Sequence, residues 1–323
     1  MFKQLSKFRH LCLVPVMFSK YVRESGYRQA TLLATRSLSS LPPNDNQQSC
    51  CSFADVLALI EKERARMSET NPLFPLLRDE SIPPKQRLAF APYMLYFSIG
   101  CPDILTYWMR IDKPEHELSD IEKRVNTFVN EDNFHYNFYL RDLETLGWSL
   151  DKFGSTGGLL RHVWASESSS VRLLMYKVVS SLRRSKDPLV ALTVVELLEA
   201  GLYDLFTIIY KHIAKAPNGI PELQYFGDAH VNLEQHHTVT SWFSGDDAPS
   251  LSISDNFLSP KTAQILPDVV KDVMNRFDAM YWTFYEIVKK GPNIYPRKYN
   301  VKGTPPIYKI TKDYEEIRVL DTK

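Results

Sequence analysis

The sequence predicts an all-α protein, a bundle of about seven long helices joined by short connections. Glycine is scarce, at 12 of 323 residues, and long stretches carry apolar residues at helical spacing, which favours helices over strands. Hydrophobic residues make up 44% of the chain, so a sizeable core can be buried.

Capping residues and helix breakers divide the chain into these helices. Ser52 and Ser119 are predicted N-caps, because each is followed three residues later by an acid. Pro84 and Pro188 mark helix starts, and Gly147 marks a helix end. The predicted helices cover residues 52–67, 84–111 with a restart at Cys101-Pro102, 119–146, 159–184 with an interruption at the polar run 166–170, 188–214, 221–243 and 261–290. Breaks are predicted at 71–75, 154–158, 217–219 and 244–260.

The chain divides into a basic N-terminal arm and linker (1–51), a helical domain (52–290) and a tail (291–323). Residues 1–40 carry seven lysines and arginines against the single acid Glu24, and serines are frequent. This is the composition of a mitochondrial transit peptide; the alternative is a basic arm on a cytoplasmic protein. The tail is rich in proline and tyrosine, and a short strand is predicted near Ile317–Leu320.

Bulk properties disfavour several classes of function. The net charge of +1 gives no reason to expect a nucleic-acid partner. No apolar run reaches the roughly 20 residues that a membrane-spanning helix needs. The four cysteines form no C-x-x-C pair, which argues against a disulfide framework and against a thiolate metal site.

The most informative stretch is the predicted helix 221–243. His230, Glu234 and His237 stand at i, i+4 and i+7, so a helix would place all three on one face. Two imidazoles and a carboxylate form a ligand set for iron, manganese or zinc. Glu234-x-x-His237 is also the Glu-x-x-His unit that two-metal helical bundles project into their core.

Two further predicted helices carry candidate donors. In helix 119–146 either Glu131 or Asp132 can share a face with His135, but both cannot do so equally, since neighbours on a helix point about 100° apart. In the strongly apolar helix 188–214, a buried Glu196 or Glu199 is costly unless it is paired, protonated or bound to metal. Supporting groups around such a centre would be Tyr139, Asp142, Tyr203 and Trp242, which are equally compatible with packing roles.

These motifs resemble those of the haem-oxygenase-like di-iron oxidases, which share the TenA-like helical fold. The resemblance covers residues 52–290 and rests on three features: the His-x3-Glu-x2-His signature beginning at His230, the acidic pair before His135 together with the later Asp142-Leu-x-x-Leu-Gly147, and Glu199-Ala-Gly. The ligands that it implies are Glu131 or Asp132, His135, Glu199 (with Glu196 as an alternative), His230, Glu234 and His237.

The resemblance implies a haem-oxygenase-like bundle holding two iron ions, with manganese as an alternative. It also implies an O2-dependent oxidoreductase that acts on a small amino-acid-like or fatty-acid-like substrate, and helical bundles of this size often form homodimers. One rival is a TenA-like enzyme without metal; a haem oxygenase would need an axial histidine near the start of the fold, and the helix 52–67 has none. A second rival is a metal-free helical interaction protein. It predicts that the candidate ligands do not converge in space.

Overall fold

The computed structural model describes residues 52–230, residues 257–291 and two short strands at 307–310 and 317–320. The predicted arm and linker (1–51) lie outside the described residues. So do Glu234, His237 and Trp242, the predicted helix beyond His230, and most of the predicted loop 244–260.

The all-α prediction is confirmed, because the described part of the chain is mostly helical. The α-helices are α1 (Phe53–Thr70), α2 (Leu73–Arg78), α3 (Pro84–Arg87), α4 (Leu95–Ile104), α5 (Asp120–Asp132), α6 (Tyr136–Thr145), α7 (Thr156–Trp164), α8 (Ser169–Leu182), α9 (Pro188–Ile209) and α10 (Pro260–Lys290). Short 3-10 turns occupy Ala91–Met94, Glu115–Glu117, Leu150–Phe153 and Ser166–Ser168, and π-helical turns follow α4 (Leu105–Met109) and α9 (Tyr210–Ala214). In the tail, β1 (Ile307–Ile310) pairs antiparallel with β2 (Ile317–Leu320), with Ile307 opposite Leu320.

The helix starts follow the predicted caps. Ser52 and Ser119 each accept a hydrogen bond from the backbone N–H three residues on, and the side chains of Asp55 and Glu122 each accept one from the cap backbone. Asp187 caps α9 through its side chain. These reciprocal bonds satisfy N–H groups that a helix start otherwise leaves without partners.

The predicted single helix over 119–146 is wrong, because the structure breaks it into α5 and α6 with a turn at residues 133–135. The backbone N–H of His135 donates to the carbonyl of Asp132 at 3.3 Å, a bond that spans three residues instead of four. Such bonds tighten the chain at helix ends. The turn contains neither proline nor glycine, so no helix-breaking residue predicts it from the sequence.

The predicted helix 221–243 starts later than expected. Residues 221–227 form turns and bends, and helical residues begin at Asp228. The backbone N–H groups of Gln224 and Phe226 donate to the side chain of Asp142 on α6, so they are not available to a helix. The correction therefore comes from a contact with a distant part of the chain.

Smaller differences concern the segments on either side of α4. Pro102 lies inside α4 and does not restart the helix, and the range 84–111 is divided into α3, a 3-10 turn, α4 and a π turn. Helix α2 begins within the predicted break at 71–75 and continues to Arg78. The predicted helix 159–184 is interrupted at Ser166–Ser168, as expected, but its first part, α7, begins inside the predicted glycine loop, at Thr156.

The core is organised around α9, whose residues are buried along most of its length. Helix α10 packs against α8, α1 and α9, and α9 also packs against α5. Gly201 of α9 permits this close approach, since a Cβ there would stand 2.5 Å from the ring of Phe277 on α10. The hydroxyl of Tyr281 on α10 donates to the carbonyl of Gly201.

The residues from Pro84 to Met109 are long and apolar enough to qualify as a membrane-spanning helix by length and composition. Within the protein, however, 72% of the apolar 18-residue window in that stretch is buried, as in a core helix. The structure therefore contains no clear membrane span among the residues it describes.

Candidate metal centre

Two of the predicted donors meet at the break between α5 and α6. Asp132 is the last residue of α5, and His135 is the N-cap residue of α6. The turn brings Oδ1 of Asp132 to 2.5 Å from Nδ1 of His135, whose side chain is almost fully buried. Asp132 and His135 are three residues apart, and the turn sets their side chains next to each other at the end of α5.

His230 reaches this pair from the far end of the irregular segment 220–230. Its ring lies 4.8 Å from the ring of His135, and its side chain is buried. The rings of Phe206 and Tyr225 each lie 4.6 Å from it. One donor atom each from Asp132, His135 and His230 lies within 4.8 Å of the others, close enough to hold one metal ion.

A cavity of about 30 Å³ opens beside these donors, and Glu199 of α9 lines it. Its walls are otherwise mostly apolar, and they include Phe97, Phe128, Leu198, Leu202 and Phe206. Glu199 is only 7% exposed, and Glu196, one turn earlier on α9, is fully buried. The structure places Glu199 at the cavity and does not place Glu196 among the residues that line it.

Reasoning from the sequence missed several cavity residues, among them two on α4. Cys101 of α4 lies with its Sγ 3.8 Å from Oδ2 of Asp132, and Ser98, one turn earlier, lines the same wall. The hydroxyl of Ser98 is buried and has no hydrogen-bond partner among the residues that the structure describes. The available signal was a serine and a cysteine at i and i+3 in an otherwise apolar helix, which places both on one face.

The other predicted site residues lie elsewhere. Glu131 is exposed, so of the acidic pair it is Asp132 that faces His135. The guanidinium of Arg64 lies over the ring of Tyr203, with Cζ of Arg64 5.2 Å from the ring centroid. Tyr139 donates from its hydroxyl to the carbonyl of Ala91 at 2.6 Å, and burial raises the pKa of that hydroxyl well above its usual value.

Asp142 is fully buried in α6 and accepts hydrogen bonds from the segment that carries His230. Burial raises the pKa of its carboxyl to about 6, and the N–H donors from residues 224–226 offset only part of that rise. It is therefore bound to the backbone of the segment that ends in His230.

The donor chemistry of the described residues fits a divalent transition metal. Two imidazole nitrogens and one carboxylate oxygen are the donor types of non-haem iron, and they also suit manganese and zinc. Glu199 adds a second carboxylate at the same cavity. No protein-family model and no curated protein matches this chain.

Proposed function

We propose that this protein is a non-haem di-iron oxidase or oxygenase of the haem-oxygenase-like, TenA-like helical fold. The observation that carries the proposal is the meeting of Asp132, His135 and His230, which come from two distant parts of the sequence, in one buried cavity that Glu199 also lines. An O2-dependent oxidoreductase needs such a site to be dry, and the cavity walls are mostly apolar.

Burial of the donors supports this proposal over the metal-free rivals. A carboxylate and two imidazoles are costly to remove from water unless each is paired, hydrogen-bonded or bound to metal. Asp132 and His135 are paired with each other, and His230 and Glu199 lie at the same cavity. A cation bound there would balance the negative charge of Asp132 and Glu199.

Six residues would hold the two ions. Asp132, His135 and His230 would supply three donors, and Glu199 would supply a carboxylate from another wall of the cavity. Glu234 and His237 follow His230 at i+4 and i+7 and would complete the set from the same helix face, if the helix that begins at Asp228 continues through them. Manganese could replace one or both irons, since it accepts the same nitrogen and oxygen donors.

The chemistry supplied by bound ferrous iron is the activation of dioxygen for oxidation of an organic substrate. The protein's own contribution is shape and polarity. The phenylalanine and leucine walls make most of the lining apolar, and the hydroxyl of Ser98 offers one hydrogen-bonding group inside the cavity. The proposed substrate is a small amino-acid-like or fatty-acid-like molecule, whose hydrocarbon part would suit the mostly apolar lining. No nucleic-acid partner is proposed, and a homodimer is compatible with the bundle.

The proposed location is the cytoplasm, or the mitochondrion if the basic N-terminus acts as a transit peptide.

Anaerobic ferrous titration, followed by metal analysis and exposure to oxygen, tests the proposal. We expect two irons per chain and a transient oxygen-dependent absorbance. His230→Ala should lose iron at the site while keeping its helical circular dichroism. The matched control is His116→Ala, because His116 is 82% exposed and lies on a different segment.

The possible results separate the rival functions. A folded protein that takes up no iron would overturn the oxidase proposal and leave a metal-free enzyme or interaction protein. One iron per chain would contradict the two-ion centre and leave a single ion on Asp132, His135 and His230. If His230→Ala loses helical structure and its folded fraction still takes up iron, His230 has a packing role.

A further inference from the structure

One carboxylate joins the two parts of the chain that carry the histidine donors. Asp142 lies on α6, seven residues after His135, so both belong to the same side of that helix. Its Oδ1 accepts from the backbone N–H of Gln224 at 2.6 Å, and its Oδ2 accepts from that of Phe226 at 2.9 Å. The backbone of Tyr225 also hydrogen-bonds to this carboxylate.

These amides belong to the segment that ends in His230. The backbone N–H of His230 donates to the carbonyl of Gln224 at 3.1 Å, which closes the segment into a compact loop. The ring of Tyr225 lies 4.6 Å from the ring of His230 and 5.3 Å from the ring of Tyr139 on α6. Fixing residues 224–226 therefore also fixes the ring that packs against the imidazole.

We propose that Asp142 is a positioning residue, which holds His230 against His135 by binding the backbone of residues 224–226. The expected effect of Asp142 on metal binding rests on the proposed function. The link between Asp142 and residues 224–226 rests on the two hydrogen bonds. A further polar contact between α6 and the segment is exposed, and it joins Arg141 to the side chain of Gln224 at 3.0 Å.

The chemistry of the acceptor explains why an aspartate is needed. An ionised carboxylate has two acceptor oxygens and no donor, so it can receive several N–H groups at once. An asparagine of the same shape presents one NH2 group, which would face an N–H of the segment and make no bond. Asp142→Asn therefore preserves volume and removes at least one of the bonds.

The test compares Asp142→Asn with wild type by titration with Co²⁺, whose visible spectrum reports its ligands. We expect affinity to fall about 10- to 100-fold, the usual result of removing a group that orients a metal ligand. The Co²⁺ spectrum should also change, because His230 is no longer held in place. Glu144→Gln is the matched control, since Glu144 is an exposed acid on the same helix, and its affinity should match that of wild type.

Amide hydrogen exchange of the metal-free protein provides a readout that does not depend on metal. In Asp142→Asn, exchange at Gln224 and Phe226 should be at least about 10-fold faster than in wild type, while the α9 amides keep their protection. If the residue only stabilised the fold, all regions would lose protection together, and folded Asp142→Asn would bind Co²⁺ with the wild-type affinity and spectrum. That result would overturn the proposal.

Different results would refute the proposed role of Asp142 and the proposed metal centre. If wild type binds no Co²⁺, the proposed function fails, and the exchange experiment still decides whether Asp142 fixes the segment. Unchanged exchange at Gln224 and Phe226 would refute the connection even if metal binds. If Asp142→Asn does not fold, amide exchange of the metal-free wild type serves instead. Rapid exchange at Gln224 and Phe226 would then count against the proposal, since amides held by a buried carboxylate should be protected.

Discussion

The contact between α9 and α10 and the junction between α5 and α6 are built in opposite ways. Helices α9 and α10 run for 22 and 31 residues, and they meet through buried apolar side chains and a close approach at Gly201. The junction is a turn of three residues, and it brings the polar side chains of Asp132 and His135 together. One region uses regular helices to make a core, and the other interrupts a helix to gather donors.

This difference shows how a helical bundle can make room for chemistry. Regular helices bury apolar surface efficiently, and burial of one large side chain contributes about 1.5–3 kcal/mol. At the junction, the turn after α5 places the carboxylate of Asp132 and the imidazole of His135 in direct contact. Stability and metal binding should therefore respond to different substitutions.

The largest effect on stability is expected in the α9–α10 contact. Phe277→Ala should lower the free energy of unfolding by about 3–5 kcal/mol, because Phe277 is fully buried and its loss leaves a cavity. Urea unfolding measures the change. Trp282→Ala on the exposed side of the same helix is the control and should cost much less. If Phe277→Ala weakened metal binding as much as His230→Ala does, the two regions would not be separable in this way.

The next largest effect is expected in the pH dependence of stability, through protonation of Asp142. Because burial raises its folded pKa to about 6 from the ordinary value of 3.8, the folded state holds the proton more tightly than the unfolded state. Its contribution to stability is therefore fully present below about pH 4 and is lost as pH rises through about 6. The total corresponds to about 3 kcal/mol.

Urea unfolding of metal-free wild type and Asp142→Asn between pH 4 and pH 7 would measure this effect. The stability of wild type relative to the variant should fall as pH rises. Glu144→Gln should follow the wild-type profile, since Glu144 is exposed. A constant difference between wild type and Asp142→Asn across this range would mean that burial does not govern this carboxyl.

The smallest effect is expected at the start of α5. Ser119→Ala removes the side-chain acceptor of the capping box and should lower stability by about 1 kcal/mol. Asp132 stands at the other end of the same helix, so Co²⁺ affinity of the folded variant should be unchanged. Thermal unfolding and Co²⁺ titration together check this, and a large loss of affinity would show that the position of Asp132 depends on the whole of α5.

Local signals in the sequence are enough to predict most helix limits. The caps at Ser52, Ser119 and Asp187 act on N–H groups two or three residues away, so a short window contains both partners. The apolar content of α9 likewise predicts a buried helix, and the structure buries Glu196 and Glu199 within it. The residue types of the site are also evident in the sequence, since the spacing of acids and histidines makes Asp132, His135, Glu199 and His230 candidate ligands.

Tertiary contacts decided which candidates meet. The segment 221–227 is not helical because its amides bind Asp142, which is 82 residues from Gln224 in the chain, and no local pattern records such a partner. The turn at 133–135 selects Asp132 over the exposed Glu131, although both precede His135 at spacings that a helix allows. Cys101 and Ser98 face the cavity only because α4 packs beside the other residues that line it. The sequence by itself therefore determined the helices and the available donors, and long-range packing determined where the helices stop and which side chains face each other.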